Sequence, residues 1–482
     1  MMNLTENRRQ TAVNAAAATA ALAAALALAG PAAAQAPVKD AAACAALAGT
    51  AIDHAAVTLA EVGEGEGLPA FCKVQVKAEA DIGIEVRLPL EGWNGKLYQA
   101  GCGGFCGVLG RADSGPGVVN AMRPGLEKHY ATATSDSGHT GESVVDATFA
   151  HDNPDGERDW GWRSIGETNR IAGALIEAFY GEAPARAYFQ GCSTGGRMAN
   201  RAALTYPEMF DGIISGAPAL DYPGLVATAF SFFVNANLDA SGAPILTADD
   251  YALIGAAVME SCDAKDGTAD GVIADPRQCK ADLSALACTA GSTEGCLTDA
   301  KMDVLAAWRE GPRNAAGDPL YPGGIPEGSE AYWAKWMPAM GAFATNFGRY
   351  MAFPNDPGPD WTTTDFDFET DPAEVAKMNE VYNADDPDLS AFIAAGGKMI
   401  VYHGWADPLV TPYKTVEWYE AAKAANGGEA FADTARLFMI PGMDHCGIYS
   451  DAAGIGQSRL DLITPIEAWV EEGTAPESIL KP

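Results

Sequence analysis

Hydrophobic positions recur along the chain with two spacings, every second residue and about every 3.6 residues, and the two alternate in order. Alternating Ile84-Glu85-Val86-Arg87-Leu88 predicts a half-buried strand. The turn Trp93-Asn94-Gly95 leads into a second strand, Lys96 to Gln99, and Tyr130-Ala131-Thr132-Ala133-Thr134 reads as a third. Ile165 to Tyr180 keeps helical spacing and precedes a short β-like run, Arg186 to Gln190, which gives way to a helix-like stretch from Met198 to Thr205. Phe210 to Pro218 is a buried strand ending in a loop, and strands follow at Lys398 to Tyr402 and Ala435 to Ile440. Strands and helices taken in turn predict an α/β fold, a mostly parallel sheet with helices on both faces.

Two stretches break that order. Ala41 to Glu85 reads as a small N-terminal cap, with Cys44 and Cys72 available to staple it. From about Tyr222 to Asp385 the alternation stops, and four cysteines, an acidic loop and aromatics such as Phe230, Trp333, Trp336 and Phe347 take its place. A long insertion between core strands is most simply a lid over a site. The predicted division is 1–36 as a signal peptide, 37–221 as the first part of the core, 222–385 as the lid and 386–482 as the second part of the core.

Composition narrows the setting. The chain has 482 residues, 48% of them hydrophobic, enough for a large core. Its 31 basic and 64 acidic residues give a net charge of −33, which argues against nucleic acid and anionic membrane surfaces as partners. Arg8 and Arg9 precede an Ala/Leu-rich run, Ala12 to Ala29, and small residues at 32–36 offer a cleavage site. Export to a periplasm or the medium is expected, with a lasting membrane anchor the weaker reading. All 10 cysteines fall after that segment; an even count in an exported chain predicts disulfides, and none has zinc-site spacing.

The chemistry centres on Gly191-Cys192-Ser193-Thr194-Gly195-Gly196-Arg197. Strand, Gly-x-Ser-x-Gly, helix is a nucleophile elbow, which places this α/β fold with the α/β-hydrolases. Asp407 follows one strand and His445 another, so the order Ser193, Asp407, His445 is the order that fold requires. Ser193 is the candidate nucleophile, His445 its base and Asp407 the residue that fixes the base. The glycine-rich loop Gly101 to Gly107 follows an early strand; the N–H groups of Gly103 and Thr194 are the candidate oxyanion donors. His139, in a polar loop, is the poorer candidate base, and His403 is expected to line the pocket. Cys192 precedes the serine and Cys446 follows the histidine; bonded, they would pin the two loops together. Within the insertion, Asp263, Asp266 and Asp270 between glycine turns can converge oxygen ligands on a cation such as calcium, and a solvated acidic loop is the competing reading.

Together these residues resemble the tannase and feruloyl esterase family, which includes the bacterial mono(2-hydroxyethyl) terephthalate hydrolases. The likeness rests on the elbow at 191–197, Ser-Asp-Ser-Gly-His at 135–139, Gly-Gly-Lys…His-Gly-Trp-Ala-Asp at 396–407, Pro-Gly-Met-Asp-His-Cys at 441–446 and Trp-Val-Glu-Glu-Gly at 469–473. The resemblance implies the triad Ser193, Asp407 and His445, and the bridges Cys192–Cys446, Cys44–Cys72, Cys262–Cys279 and Cys288–Cys296. Cys102 and Cys106 are then expected to pair with each other, a departure from the family's usual pattern. It also implies a structural calcium ion in the lid, on the carboxylates of Asp263, Asp266 and Asp270 and the backbone carbonyls of Thr268 and Val272, with no organic cofactor. The implied substrates are small esters of aromatic acids. Thr194 resembles the feruloyl esterases more than the terephthalate half-ester hydrolases, and Arg349 is open as a carboxylate clamp or a lid salt bridge. A non-catalytic aromatic-binding protein on the same scaffold is the alternative from another class; an intact triad argues against it.

Overall fold

The structure, a computed structural model, describes residues 38–109, 121–289, 291–292 and 294–481, so the expected signal peptide at 1–36 lies outside the described residues. Nine strands form one sheet: β1 (Ala55–Gly63), β2 (Phe71–Ala78), β3 (Gly83–Pro89), β4 (Lys96–Ala100), β5 (Ala131–Ser135), β6 (Arg186–Cys192), β7 (Gly212–Gly216), β8 (Lys398–Gly404) and β9 (Ala435–Ile440). Their order is β1-β2-β3-β5-β4-β6-β7-β8-β9. The pairs from β5–β4 to β8–β9 are parallel, and β1–β2, β2–β3 and β3–β5 are antiparallel. The main helices are α1 (Ala41–Ala46), α2 (Ser164–Tyr180), α3 (Thr194–Thr205), α4 (Phe230–Ala236), α5 (Ala248–Cys262), α6 (Asp299–Glu310), α7 (Glu330–Tyr350), α8 (Tyr413–Ala425) and α9 (Ile463–Glu472).

Two expectations change here. Residues 41–85 are not a separate cap: after α1 they supply β1 and β2, the antiparallel edge of the main sheet, and Cys44–Cys72 ties α1 to β2. Nor is β3 half-buried. Glu85 and Arg87 are buried as fully as their apolar neighbours. They pair at 2.8 Å, Gln75 donates to Glu85 at 3.0 Å, and the guanidinium lies 4.8 Å from the Phe71 ring centroid. The alternation marks two covered faces, one apolar and one closed by an ion pair, since a buried charge needs a partner.

Both sheet faces carry helices. α2 sets Ile171, Leu175, Ile176 and Phe179 against Val74, Ile84, Val86 and Leu88, and ends where Gly181 takes φ +87°, a left-handed cap. On the other face α9 sets Ile466 and Trp469 against Tyr188, Ile214, Ile400 and Tyr402. The described residues of 217–397, between β7 and β8, contribute no strand to the sheet and hold α4 to α7. Their aromatic core, with Trp308, Trp333 and Phe347, is continuous with Phe189, Ile213, Met399 and Val401 of the sheet. The insertion therefore shares one core with the strands that lead to the candidate residues.

Candidate active site

β6 runs into α3 through Ser193, whose φ of 64° and ψ of −125° are unusual for a side chain beyond glycine. The strain is held by close backbone packing. A Cβ on Gly191 would lie 2.4 Å from the Gly195 backbone, and one on Gly196 would lie 2.2 Å from Gly216 O. Ser193 N–H donates to Gly216 O at 2.9 Å, which fixes the tip against β7. Cys192 and Thr194 are buried while Ser193 is half-exposed, so the hydroxyl is the part of the elbow left open.

The loops after β8 and β9 converge on the same end of the sheet. His445 Nδ1 lies 2.6 Å from Asp407 Oδ2. The other carboxylate oxygen accepts the N–H groups of Leu409 and Val410, each at 2.9 Å. Burial pushes the Asp407 carboxyl up, but the charge of His445 and hydrogen bonds from His403 and His445 outweigh it and hold the group below the usual carboxylate range. An anion at Nδ1 keeps that nitrogen protonated and leaves Nε2 as the basic one. Cys446, with φ 55°, is bonded to Cys192, and the two Cα atoms are 6.1 Å apart. His445 Nε2 is 3.7 Å from Cys446 Sγ, so the free ring nitrogen faces the bridge that adjoins Ser193. Among the described residues Ser193 Oγ makes no hydrogen bond with the imidazole, a contact that commonly tightens only when substrate binds.

The glycine loop lies beside this tip. A Cβ on Gly195 would lie 2.9 Å from Cys102 O, and one on Gly101 would lie 2.8 Å from Gly195 Cα, so loop and elbow meet backbone to backbone. Phe105 N–H donates to Val144 O, Cys106 N–H to Gly103 O and Gly107 N–H to Asp136 O, while the Gly103 N–H is left without an acceptor among the described residues. Thr194 N–H is the first of α3, at the positive end of its dipole. Cys102 and Cys106 are bonded within the loop, and Ser137 Oγ donates to Cys102 Sγ at 3.3 Å. The 135–139 segment thus braces the loop. His139 does not join the triad: it stacks on Phe149 with ring centroids 3.6 Å apart, and burial lowers it to about 4.

His403 is the main correction. It is fully buried behind Asp407, not in a pocket wall, with Nε2 3.1 Å from Asp407 Oδ2 and 2.8 Å from Val410 O. β8 is paired on both sides, by β7 and β9, and is buried from its second residue on, so its penultimate side chain points into the protein. Arg349 donates Nε to Trp361 O at 2.9 Å and makes no ion pair among the described residues.

Several further neighbours shape the site. Trp336, from α7, stands edge-on to His445 at 5.1 Å and 89°, and donates Nε1 to Asp444 Oδ2 at 3.0 Å. Asp444 also accepts the Ser450 hydroxyl at 2.8 Å, so one buried carboxylate joins the insertion to the histidine loop. Tyr222 brings its hydroxyl 3.5 Å from Thr194 Oγ1, and Phe105 meets Phe343 at 5.3 Å. Arg197 is wholly buried and bonds the carbonyls of Trp160, Gly161 and Tyr382. Hydrophobic spacing flags such aromatics as core, and only tertiary packing shows which of them face the triad.

The acidic loop of the insertion is closed by its own backbone. Asp263 Oδ1 accepts from Asp270 N and Gly271 N, Asp266 Oδ1 from Thr268 N, and Asp270 Oδ1 from Val272 N. Each carboxylate keeps its second oxygen for a further partner, a hard-oxygen donor set that suits calcium. The trio is less tightly gathered than the donor sets within 4.8 Å of one another elsewhere among the described residues, such as His151, Asp152 and Asp356. Cys262–Cys279 and Cys288–Cys296 bracket and follow the loop.

Known proteins share these features. The sequence profile described as tannase and feruloyl esterase matches residues 65–481. The chain is 35% identical over 459 residues to an uncharacterized esterase of Xanthomonas campestris pv. campestris, covering 86% of this chain and 78% of that protein. It is 30% identical over 480 residues to mono(2-hydroxyethyl) terephthalate hydrolase of Piscinibacter sakaiensis, with 86% and 78% covered. Its fold is similar to that of an esterase from Aspergillus oryzae, with 26% identity, 91% of each chain covered and a TM-score of 0.79.

Proposed function

The chain belongs to the tannase and feruloyl esterase family and is a carboxylic ester hydrolase, and we propose that it cleaves aromatic-acid esters through an acyl group on Ser193. His445 takes the Ser193 proton through Nε2 as Oγ attacks the ester carbonyl, and Asp407 steadies the imidazolium at Nδ1. The carbonyl oxygen, now negative, receives the N–H groups of Gly103 and Thr194. Collapse expels the alcohol, which takes its proton from His445. Water, deprotonated by the same nitrogen, then attacks the acyl carbon; Ser193 regains its proton and the acid departs. The observation that carries this reading is the Cys192–Cys446 bridge, which fastens the serine tip to the histidine loop while Asp407 holds the imidazole.

The aromatic surroundings favour aromatic acyl groups: Trp336 meets His445 and Tyr222 reaches Thr194 beside Ser193, and flat rings pack edge-on or stacked in such a setting. Thr194 after the nucleophile favours hydroxycinnamate or gallate esters over terephthalate half-esters. Purified protein assayed on methyl ferulate, methyl gallate and a terephthalate half-ester tests this. Faster turnover of either methyl ester is expected; preference for the half-ester, or for simple aliphatic esters, would overturn the choice.

The 263–272 loop supports a structural calcium ion, held by Asp263, Asp266 and Asp270 with the carbonyls of Thr268 and Val272, supplying charge neutralisation to the insertion and no step of the reaction. Chelation is expected to lower Tm while kcat measured well below Tm is kept; a melting curve unmoved by chelation and by added calcium would contradict it. Five disulfides support export.

A further inference from the structure

Asp407 serves two histidines. Its Oδ2 faces His445 Nδ1 at 2.6 Å and His403 Nε2 at 3.1 Å, while Oδ1 holds the Leu409 and Val410 N–H groups. His403 sits four residues before it, wholly buried at the end of β8. Both groups at His403 Nε2, the carboxylate and Val410 O at 2.8 Å, can only accept, so Nε2 carries the hydrogen. Nδ1 lies 2.9 Å from Thr415 Oγ1, whose hydroxyl donates to it. With this tautomer all three contacts are satisfied. Val410 closes the arrangement from both ends, giving its N–H to Oδ1 and its C=O to His403.

The geometry points to His403 as a positioning residue that shares the charge of Asp407 with His445 and so sets the pH at which His445 becomes free to act as base. The inference rests on the triad proposed above. A carboxylate oxygen that already accepts one N–H attracts a second proton less strongly, so His403 weakens the hold of Asp407 on protonated His445. The backbone donors on Oδ1 prevent rotation to an unshared oxygen. Other ionisable groups near the trio are either kept uncharged by burial or already hydrogen-bonded. Tyr321, from the insertion, is pushed well above its ordinary value by burial, with Asp221, Asp385, Glu417 and Asp407 adding to the effect. Asp444, beside His445, is engaged by Trp336, Tyr449 and Ser450. Tyr402, next to His403 in β8, is raised beyond the working range by burial.

The test is the pH profile of kcat/KM on methyl ferulate, or on whichever ester the substrate panel selects, for wild type, His403→Leu, His403→Gln and Thr415→Val. Leucine removes the second donor, and the acid limb is expected to move to higher pH by about half a unit or more. Glutamine returns an N–H near the Nε2 position and should restore the wild-type limb. Thr415→Val, nearly isosteric, loosens the tautomer and should move the limb the same way by less; it carries the test alone if the leucine protein does not fold. Coincident profiles for wild type and His403→Leu, a limb moved to lower pH, no rescue by glutamine, or an unmoved limb in a Thr415→Val protein tested alone would each overturn the role. Failure of the triad reading is separable, because Asp407→Asn would then retain wild-type turnover.

Discussion

Ser193 and Cys446 hold left-handed backbone conformations on opposite sides of one disulfide, a strained arrangement that serves reach and alignment more than stability. Alignment of the base depends on Asp407 being an anion with acceptor oxygens at Nδ1. Asp407→Asn keeps the shape but offers an N–H where an acceptor is needed, and kcat should fall by about 10⁴, the loss known for this change in the Ser-His-Asp triad; steady-state kinetics checks it. A second residue-scale effect lies away from the site. Burial pushes the Glu330 carboxyl up to about 7. Its folded value is above its unfolded one, so its stabilising contribution is complete below the ordinary glutamate range and is lost as pH rises through about 7. Glu330→Gln stays neutral and should raise Tm at about pH 8 relative to wild type, with little difference near pH 4, as melting curves at the two pH values would record. Ser193, Asp407 and His445 were legible because each sits at a strand end in a recognisable order. His403 was misplaced because a histidine in a strand gives no sign of which face it occupies or which oxygen it meets.

Among the elements, α7 links insertion and core. Its Trp336 touches both His445 and Asp444, so the insertion positions the base as well as covering it. Trp336→Phe keeps the ring and removes the N–H. A buried carboxylate left short of a donor should reduce stability by about 1–3 kcal/mol, and kcat should fall several-fold as the histidine loop loosens; denaturant melts and kinetics on one sample separate the two. The strands from β3 onward and the helices α2 and α3 are legible from their spacing, α2 nearly end to end, whereas α8 and α9 are not. Residues 41–85 read as a cap in the sequence because edge strands with one solvated face resemble any small amphipathic unit until their pairing is seen. The charged pair on β3 misled for a related reason: alternation reports two unlike faces and not whether the polar one is wet.

At the scale of the whole molecule, the Cys192–Cys446 bridge spans 254 residues and encloses the entire insertion. Closing so long a loop removes unfolded-state entropy worth about 5 kcal/mol in the chain-entropy treatment. The double variant Cys192→Ser with Cys446→Ser should therefore melt lower and lose most activity even at temperatures where it stays folded; retained activity in a folded double variant would show that packing alone aligns the loops. The general plan, an α/β core interrupted by an insertion over its active end, was legible because the sequence shows where alternation stops. The closeness of insertion and sheet was not, since their shared core joins residues far apart in the chain. The most direct measurement is the intact mass of the protein mixed with an activated aromatic ester, followed by peptide mapping. A transient acyl adduct on Ser193 is predicted, absent in Ser193→Ala together with turnover. Wild-type hydrolysis by Ser193→Ala, or an adduct on another residue, would contradict the mechanism.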